Sequence, residues 1–260
     1  MTIGYGTFQV KDKKILKECI KAAVNNGYDY IDTAYIYGNE KAIGDAIKLL
    51  RKEGFDKKIV IQTKVWPTQF SNVKKAIKES CAKLGIEKLD MCLLHRPHFD
   101  LNLSISAWKQ MIKCKEQGLV DKIGLSNFDK DMIEIIYLKT KTYPEMHQIE
   151  LSVNSYREDR VFYNNEKNIE IQAWSPMGDL ENNLENPLLK RMAKKYDTDV
   201  ASILISFVVS QGNGVIIKTQ NPERVTNNKK AYKLKLKKED IEDLKKLNTY
   251  KNKFSETFIW

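Results

Sequence analysis

A closed (β/α)8 barrel in one domain, residues 1–260, is the fold this sequence predicts. Eight short apolar or β-branched runs alternate with longer segments of helical period, and no Ser/Gly/Pro-rich linker divides the chain. Polar residues able to do chemistry stand just beyond the ends of several runs, which gathers them at one mouth.

The predicted strands cover residues 5–9, 28–31, 59–63, 89–94, 122–125, 146–149, 169–173 and 214–217. They are short and nearly continuously apolar, as strands buried on both faces must be. After the first, Ile15, Leu16, Cys19, Ile20, Ala23 and Val24 form one helical stripe that stops before Gly27. Val73, Ile77, Cys81 and Leu84 form another between Ser71 and Gly85. A fifth helix is expected to start at Asp129 with Met132, Ile135 and Ile136 inward, and a last, short one at Asn221-Pro222-Glu223, which supplies an N-cap, a first-turn proline and an acid. Residues 179–186 read as a short loop.

Composition narrows the class. The chain is 42% apolar, enough for a sizeable core, and its longest apolar run, Val200–Val209, is too short to cross a bilayer. The start has no basic segment followed by an apolar one, so a soluble, cytoplasmic protein without membrane partners is expected. Cys19, Cys81, Cys92 and Cys114 lack close paired spacing and read as free thiols, with no metal site. The net charge of +10 raises a nucleic-acid reading, but lysines alternate with acids along helical stretches such as residues 233–246. Solvated helix faces explain them, and no nucleic-acid partner is expected.

The mouth is more specific. Asp32-Thr33-Ala34-Tyr35-Ile36-Tyr37-Gly38-Asn39-Glu40 puts a carboxylate and a phenol at the end of the second run. Lys64 after the third is expected to face Asp32 and reach Tyr37, where an ammonium favours the phenolate. His95, after the fourth, is placed to donate a hydrogen bond to a carbonyl oxygen that also contacts Tyr37. Proton donation to a carbonyl needs a hydride from elsewhere. Ser126, Asn127 and Gln148 offer groups that bind a carboxamide, and Trp174 a face on which a ring can stack. Lys218 and Arg224 flank a helix start where an anion is favoured. There is no Gly-x-Gly-x-x-Gly fingerprint, no Gly-x-Ser-x-Gly elbow and no His-Glu-x-x-His pair.

In these motifs the chain resembles the aldo-keto reductases over nearly its whole length, as a short-loop member of prokaryotic type. The matching stretches are Gly6-Thr7, Asp32-Thr33-Ala34 with Tyr37-Gly38-Asn39-Glu40, Thr63-Lys64-Val65-Trp66, Leu93-Leu94-His95-x-Pro97, residues 124–128, Gln148 with Glu150, Trp174-Ser175-Pro176 with Gly178, and residues 218–228. The resemblance implies Tyr37 as general acid tuned by Lys64 and Asp32, with His95 orienting the carbonyl. It implies Gly6, Thr7, Ser126, Asn127, Gln148, Trp174, Ser175 and Met177 around the nicotinamide and pyrophosphate. Lys218, Thr219, Arg224 and Asn228 would hold the adenosine 2′-phosphate and adenine. NADPH/NADP+ is the implied cofactor and a small aldehyde or ketone the substrate of a monomeric carbonyl reductase; an NADPH-binding pseudoenzyme or redox sensor with little turnover is the alternative.

Phe8, Ile36, Trp66 and Arg96 are the expected substrate pocket; Phe8 stands where the family commonly has a tryptophan, and Arg96 where many relatives carry an aromatic residue. Asn227 stands where the family usually has a glutamate. The family normally has a floor hairpin ahead of the first barrel strand, whereas here Gly4-Tyr5-Gly6-Thr7 comes almost at once, so either an open floor or a start lying upstream is expected. Trp108 reads as packing, as do Trp66 and Trp260, two tryptophans whose loops also lie within reach of the pocket.

Overall fold

The computed structural model describes residues 1–250, so Trp260 lies outside the described residues. Eight parallel strands pair in chain order and close on themselves, the eighth against the first. They are β1 (Ile3–Gly6), β2 (Tyr30–Asp32), β3 (Ile61–Val65), β4 (Leu89–Leu94), β5 (Val120–Ser126), β6 (Met146–Glu150), β7 (Glu170–Trp174) and β8 (Gly214–Lys218). Register sets Asp32 beside Gly6 and Gln62, Ser126 beside Gln148, Gln148 beside Gln172, and Lys218 beside Gly6.

Several strands end later than their apolar runs. Asp32, Ser126, Trp174 and Lys218 are the last residues of their strands, and Lys64 is the last but one, where they were expected just beyond the ends. Apolarity underestimates these strands because a polar side chain directed into the barrel mouth leaves its backbone in the ladder. β1 departs the other way: Phe8 and Gln9 are not strand, and Gln9 turns the chain at φ 61°.

The helices α1 (Lys13–Asn25), α2 (Glu40–Lys52), α3 (Val73–Leu84), α4 (Leu101–Glu116), α5 (Lys130–Thr140) and α6 (Glu158–Glu166) follow the first six strands. Three more, α7 (Leu180–Glu185), α8 (Pro187–Lys195) and α9 (Val200–Val209), fill the β7–β8 connection, and α10 (Pro222–Lys233) and α11 (Lys238–Lys245) follow β8. The stretch expected as a loop at residues 179–186 therefore contains α7, capped by the Asp179 carboxylate on Asn182 N. The helix expected as last and short runs twelve residues and is followed by α11.

Caps explain the boundaries. Asp12 accepts from the amides of Lys14 and Ile15 to start α1, Asn72 rather than Ser71 caps α3, and Gly85 at φ 72° ends it. In α5 Ile136 is buried and Met132 packs against the core as expected, but Ile133 is buried in place of Ile135, which is exposed. α9 is buried almost all round between α8 and α10, which accounts for its continuous apolarity.

One core fills the space between strands and helices. A smaller cluster of Tyr30, Met91, Leu93, Met146 and Ile216 packs together on β2, β4, β6 and β8. Toward the strands' C-terminal ends polar residues take over. All four cysteines are buried and free, and Trp108 is buried with its indole donating to Thr142 O. Among the described residues no helix is long and apolar enough to cross a membrane.

Candidate active site

A cavity of about 490 Å³ opens at the C-terminal ends of the strands and is lined from every side of the barrel. Asp32 comes from β2, Ile36 and Tyr37 from the 3-10 turn after it, and Trp66, His95 and Arg96 from the ends of β3 and β4. The opposite wall is Ser126, Asn127, Gln148, Trp174, Ser175 and Lys218. Gly6, Phe8 and Gln9 close the ring beside Ile216.

The turn carrying Tyr37 is fastened by its neighbours. Asn39 donates to the carbonyls of Thr7 (2.8 Å) and Val10 (2.9 Å) while accepting from the Thr33 hydroxyl (2.8 Å). Buried Glu40 accepts from Thr63 (2.7 Å) and faces Lys83 (3.6 Å). The end of the motif is thus structural: it ties the loops after β1 and β2 to β3 and holds the phenol over the mouth.

Beneath the phenol, Lys64 is fully buried with its ammonium 2.7 and 2.8 Å from the two carboxylate oxygens of Asp32, 2.9 Å from Thr33 O and 3.4 Å from Tyr37 Oη. Burial alone would drive off the lysine proton, but Asp32 and Tyr37 outweigh it and hold the ammonium above its ordinary pKa. For Tyr37, burial is the largest effect and raises the phenol, with Lys64 pulling the other way and Asp32 adding to the rise. Lys64 favours the phenolate, as expected from the sequence, but it offsets only part of the burial cost, which the sequence does not display, and the net direction is upward. A phenol protonated throughout the neutral range is the form an acid requires.

His95 stands edge-on to Tyr37, ring centres 5.7 Å apart, and edge-on to Trp66 at 5.0 Å. Burial first, then the charges of Lys64 and Arg96, holds its pKa well below the ordinary value, so it is a neutral imidazole. Its Nδ1 is buried without a partner among the described residues. Phe8 covers the other side of Tyr37 at 5.0 Å, and half-exposed Phe8 and Ile36 form an apolar rim. Phe8, Ile36, Trp66 and Arg96, the expected pocket, all line the cavity.

Across the mouth, Asn127 adopts φ 62° and is held by hydrogen bonds to His95 O and Ser126 Oγ (both 3.1 Å) and from the Trp174 indole (2.9 Å). Trp174 is thereby locked in place, ready to support a flat ring. Among the described residues the Ser126 hydroxyl makes no donation and Gln148 Oε1 accepts nothing; one donor and one acceptor match the two ends of a carboxamide. The residues therefore fit a nicotinamide. Gln9, Asn127 and Ser175, all with positive φ, line this cavity, the kind of backbone strain that collects at functional sites.

Five expected cofactor residues lie off the cavity wall. Thr7 is buried, its hydroxyl and amide both donating to Asp32 O, so it supports β2. Met177 gives its carbonyl to Asn183. Thr219 lies just past β8 with its carbonyl on the Tyr5 phenol, and Arg224 and Asn228 lie on α10, exposed and half-buried respectively. With exposed Lys218, this stretch runs from the cavity edge to a helix start capped by Asn221.

Sequence reasoning missed Gln62 and Gln172, each almost wholly buried inside the barrel. Gln62 donates to Asp32 (2.7 Å) and to Gln172 (2.8 Å). The available signal was a long amide inside two otherwise apolar strand runs, Ile61-Gln62-Thr63 and Ile171-Gln172-Ala173.

A sequence profile of the Aldo/keto reductase family matches residues 2–249. The methylglyoxal reductase DkgA of Yersinia pestis is 30% identical over 95% of this chain and 88% of its own. A crystal structure of an aldo-keto reductase enzyme from a Medee basin deep-sea metagenome library superposes with a TM-score of 0.88 at 30% identity, over 98% and 93% of the two chains. The Bombyx mori aldo-keto reductase in complex with NADP shares the fold, with a TM-score of 0.89 at 24% identity over 98% and 92%.

Proposed function

The chain belongs to the aldo/keto reductase family, and on that premise we propose that it reduces small aldehydes or ketones to alcohols with NADPH, Tyr37 supplying the proton. The observation that carries this reading is the Lys64 ammonium held between the Asp32 carboxylate and the Tyr37 hydroxyl at the cavity floor. NADPH, when bound, supplies the hydride. Trp174 supports the ring, and the Ser126 hydroxyl and Gln148 Oε1 take its carboxamide. Lys218, Arg224 and the N-terminus of α10 receive the 2′-phosphate, an anion favoured by two cations and the free amides of a helix start.

The substrate oxygen sits between Tyr37 Oη and the neutral His95 ring, which donates one hydrogen bond and carries no charge to compete with Lys64. As negative charge grows on that oxygen, Tyr37 gives up its proton, and the phenolate left behind is stabilised by an ammonium already in place. Fixed dipoles and a fixed charge need no reorganisation during the reaction. The apolar rim of Phe8, Ile36 and Trp66 leaves room for a compact substrate, and the Yersinia pestis relative is named for one such carbonyl, methylglyoxal. The test is reduced-nicotinamide absorbance across a panel of aldehydes and ketones, with NADPH and NADH in parallel. Turnover with NADPH supports the proposal, and tight NADPH binding with no turnover on any carbonyl overturns it.

A further inference from the structure

The floor of the cavity holds a closed ring of hydrogen bonds that joins the acid half of the site to the cofactor half. Gln62 Nε2 donates to Asp32 Oδ1 (2.7 Å) and to Gln172 Oε1 (2.8 Å), and Gln148 Nε2 donates to the same two oxygens, at 3.1 and 3.3 Å. An amide nitrogen has two hydrogens, so each of these nitrogens is fully used. Asp32 Oδ1 and Gln172 Oε1 can only accept. Two acceptors facing two amides leave those amides one orientation: nitrogen inward, oxygen away. For Gln148 the oxygen then faces the cavity, which the residue lines. For Gln62 it is buried without a partner among the described residues, a cost the ring outweighs.

We propose that Gln172, which touches neither the cavity nor the reacting groups, is a positioning residue that sets the polarity of Gln148 and Gln62 together. Through Gln148 it presents a carbonyl to the cofactor's carboxamide, and through both amides it holds the Asp32 carboxylate square to Lys64. The register favours this arrangement, because Asp32 and Gln62 are neighbours across β2 and β3, Gln148 and Gln172 are neighbours across β6 and β7, and the two pairs meet across the barrel. The inference rests on the NADPH reading of the site.

Gln172→Met keeps length and removes the oxygen. It leaves Gln148 Nε2 with Asp32 Oδ1, at 3.1 Å, in place of two acceptors holding it inward, so the amide turns more readily and NADPH binding, followed by quenching of tryptophan fluorescence, weakens about tenfold, the scale of one hydrogen bond lost. Adenosine 2′,5′-bisphosphate, which has no carboxamide, binds the variant as it binds the wild type. Gln62→Met lowers kcat with NADPH affinity unchanged, since it removes a donor from Asp32 without freeing Gln148. Should Gln172→Met fail to fold, Gln172→Asn, whose shorter amide withdraws the oxygen, takes its place. Equal weakening of both ligands, or NADPH affinity unchanged, overturns the proposal. If the wild type binds neither ligand, it is the NADPH reading that fails, and the ring is then tested alone: Gln172→Met must still shift the Gln148 side-chain amide resonances of the unliganded protein, and unshifted resonances overturn it.

Discussion

Both carboxylate oxygens of Asp32 contact the Lys64 ammonium, at 2.7 and 2.8 Å, and neither residue is more than 3% exposed. A buried ion pair contributes little over an apolar substitute, but removing one partner strands the other charge. Asp32→Asn and Lys64→Met should each destabilise the fold by about 3–5 kcal/mol in denaturant titration. The double variant should recover much of that loss while remaining inactive, because Tyr37 then lacks its ammonium. Single variants as stable as the wild type would contradict the account of this pair.

The proposed anion site is separable from the Asp32–Lys64 pair. Lys218→Ala and Arg224→Ala should each weaken NADPH binding by about tenfold, the scale of a charge-assisted contact, and leave NADH binding unchanged. Equal loss for both cofactors would remove the 2′-phosphate from this site.

Acid stability follows from His147, which is fully buried with Nδ1 hydrogen-bonded to Asn164 at 3.0 Å. Burial, then the charge of Arg160, pushes its pKa down to about 3. Between that value and the unfolded value near 6.5 the unfolded chain binds a proton that the native protein refuses, so stability falls as pH falls through this window. The loss from this residue alone is about 1.5–2 kcal/mol between pH 6.5 and pH 5. His147→Asn, which keeps a donor toward Asn164, should flatten the profile by that amount in denaturation at the two pH values. An unchanged slope would show that His147 is not held neutral.

Packing outside the barrel makes a further test. A Cβ at Gly44 of α2 would lie 2.5 Å from Lys83 O and 2.8 Å from Leu84 O at the end of α3, and backbone cannot step aside as a side chain can. Gly44→Ala should therefore lower stability by about 1–3 kcal/mol despite alanine's better helix propensity, seen as a lower Tm.

The barrel was legible because its two signals are local: short apolar runs and capped amphipathic helices such as α1 and α3. The residues proposed as catalytic were legible because strand ends converge whatever lies between them, so Asp32, Lys64 and His95 needed only their places in the order of strands. What stayed hidden depended on side chains meeting across the barrel. The ring through Gln62 and Gln172 is invisible until β3 and β7 face each other, and the upward direction of the Tyr37 shift depends on burial, which no motif displays. Strand ends were missed where a polar residue stayed in the ladder, as at Asp32 and Lys218, and α7 was missed because its polar turn lacks an apolar stripe.

Whether Tyr37 is the proton donor of an NADPH-dependent carbonyl reduction is decided by Tyr37→Phe. The substitution removes one oxygen and keeps the ring against Phe8 and His95. NADPH affinity and carbonyl-dependent NADPH oxidation should be measured for wild type and variant together. Affinity should be unchanged and turnover reduced by at least about a thousandfold. A variant that oxidises NADPH at the wild-type rate contradicts that role for Tyr37.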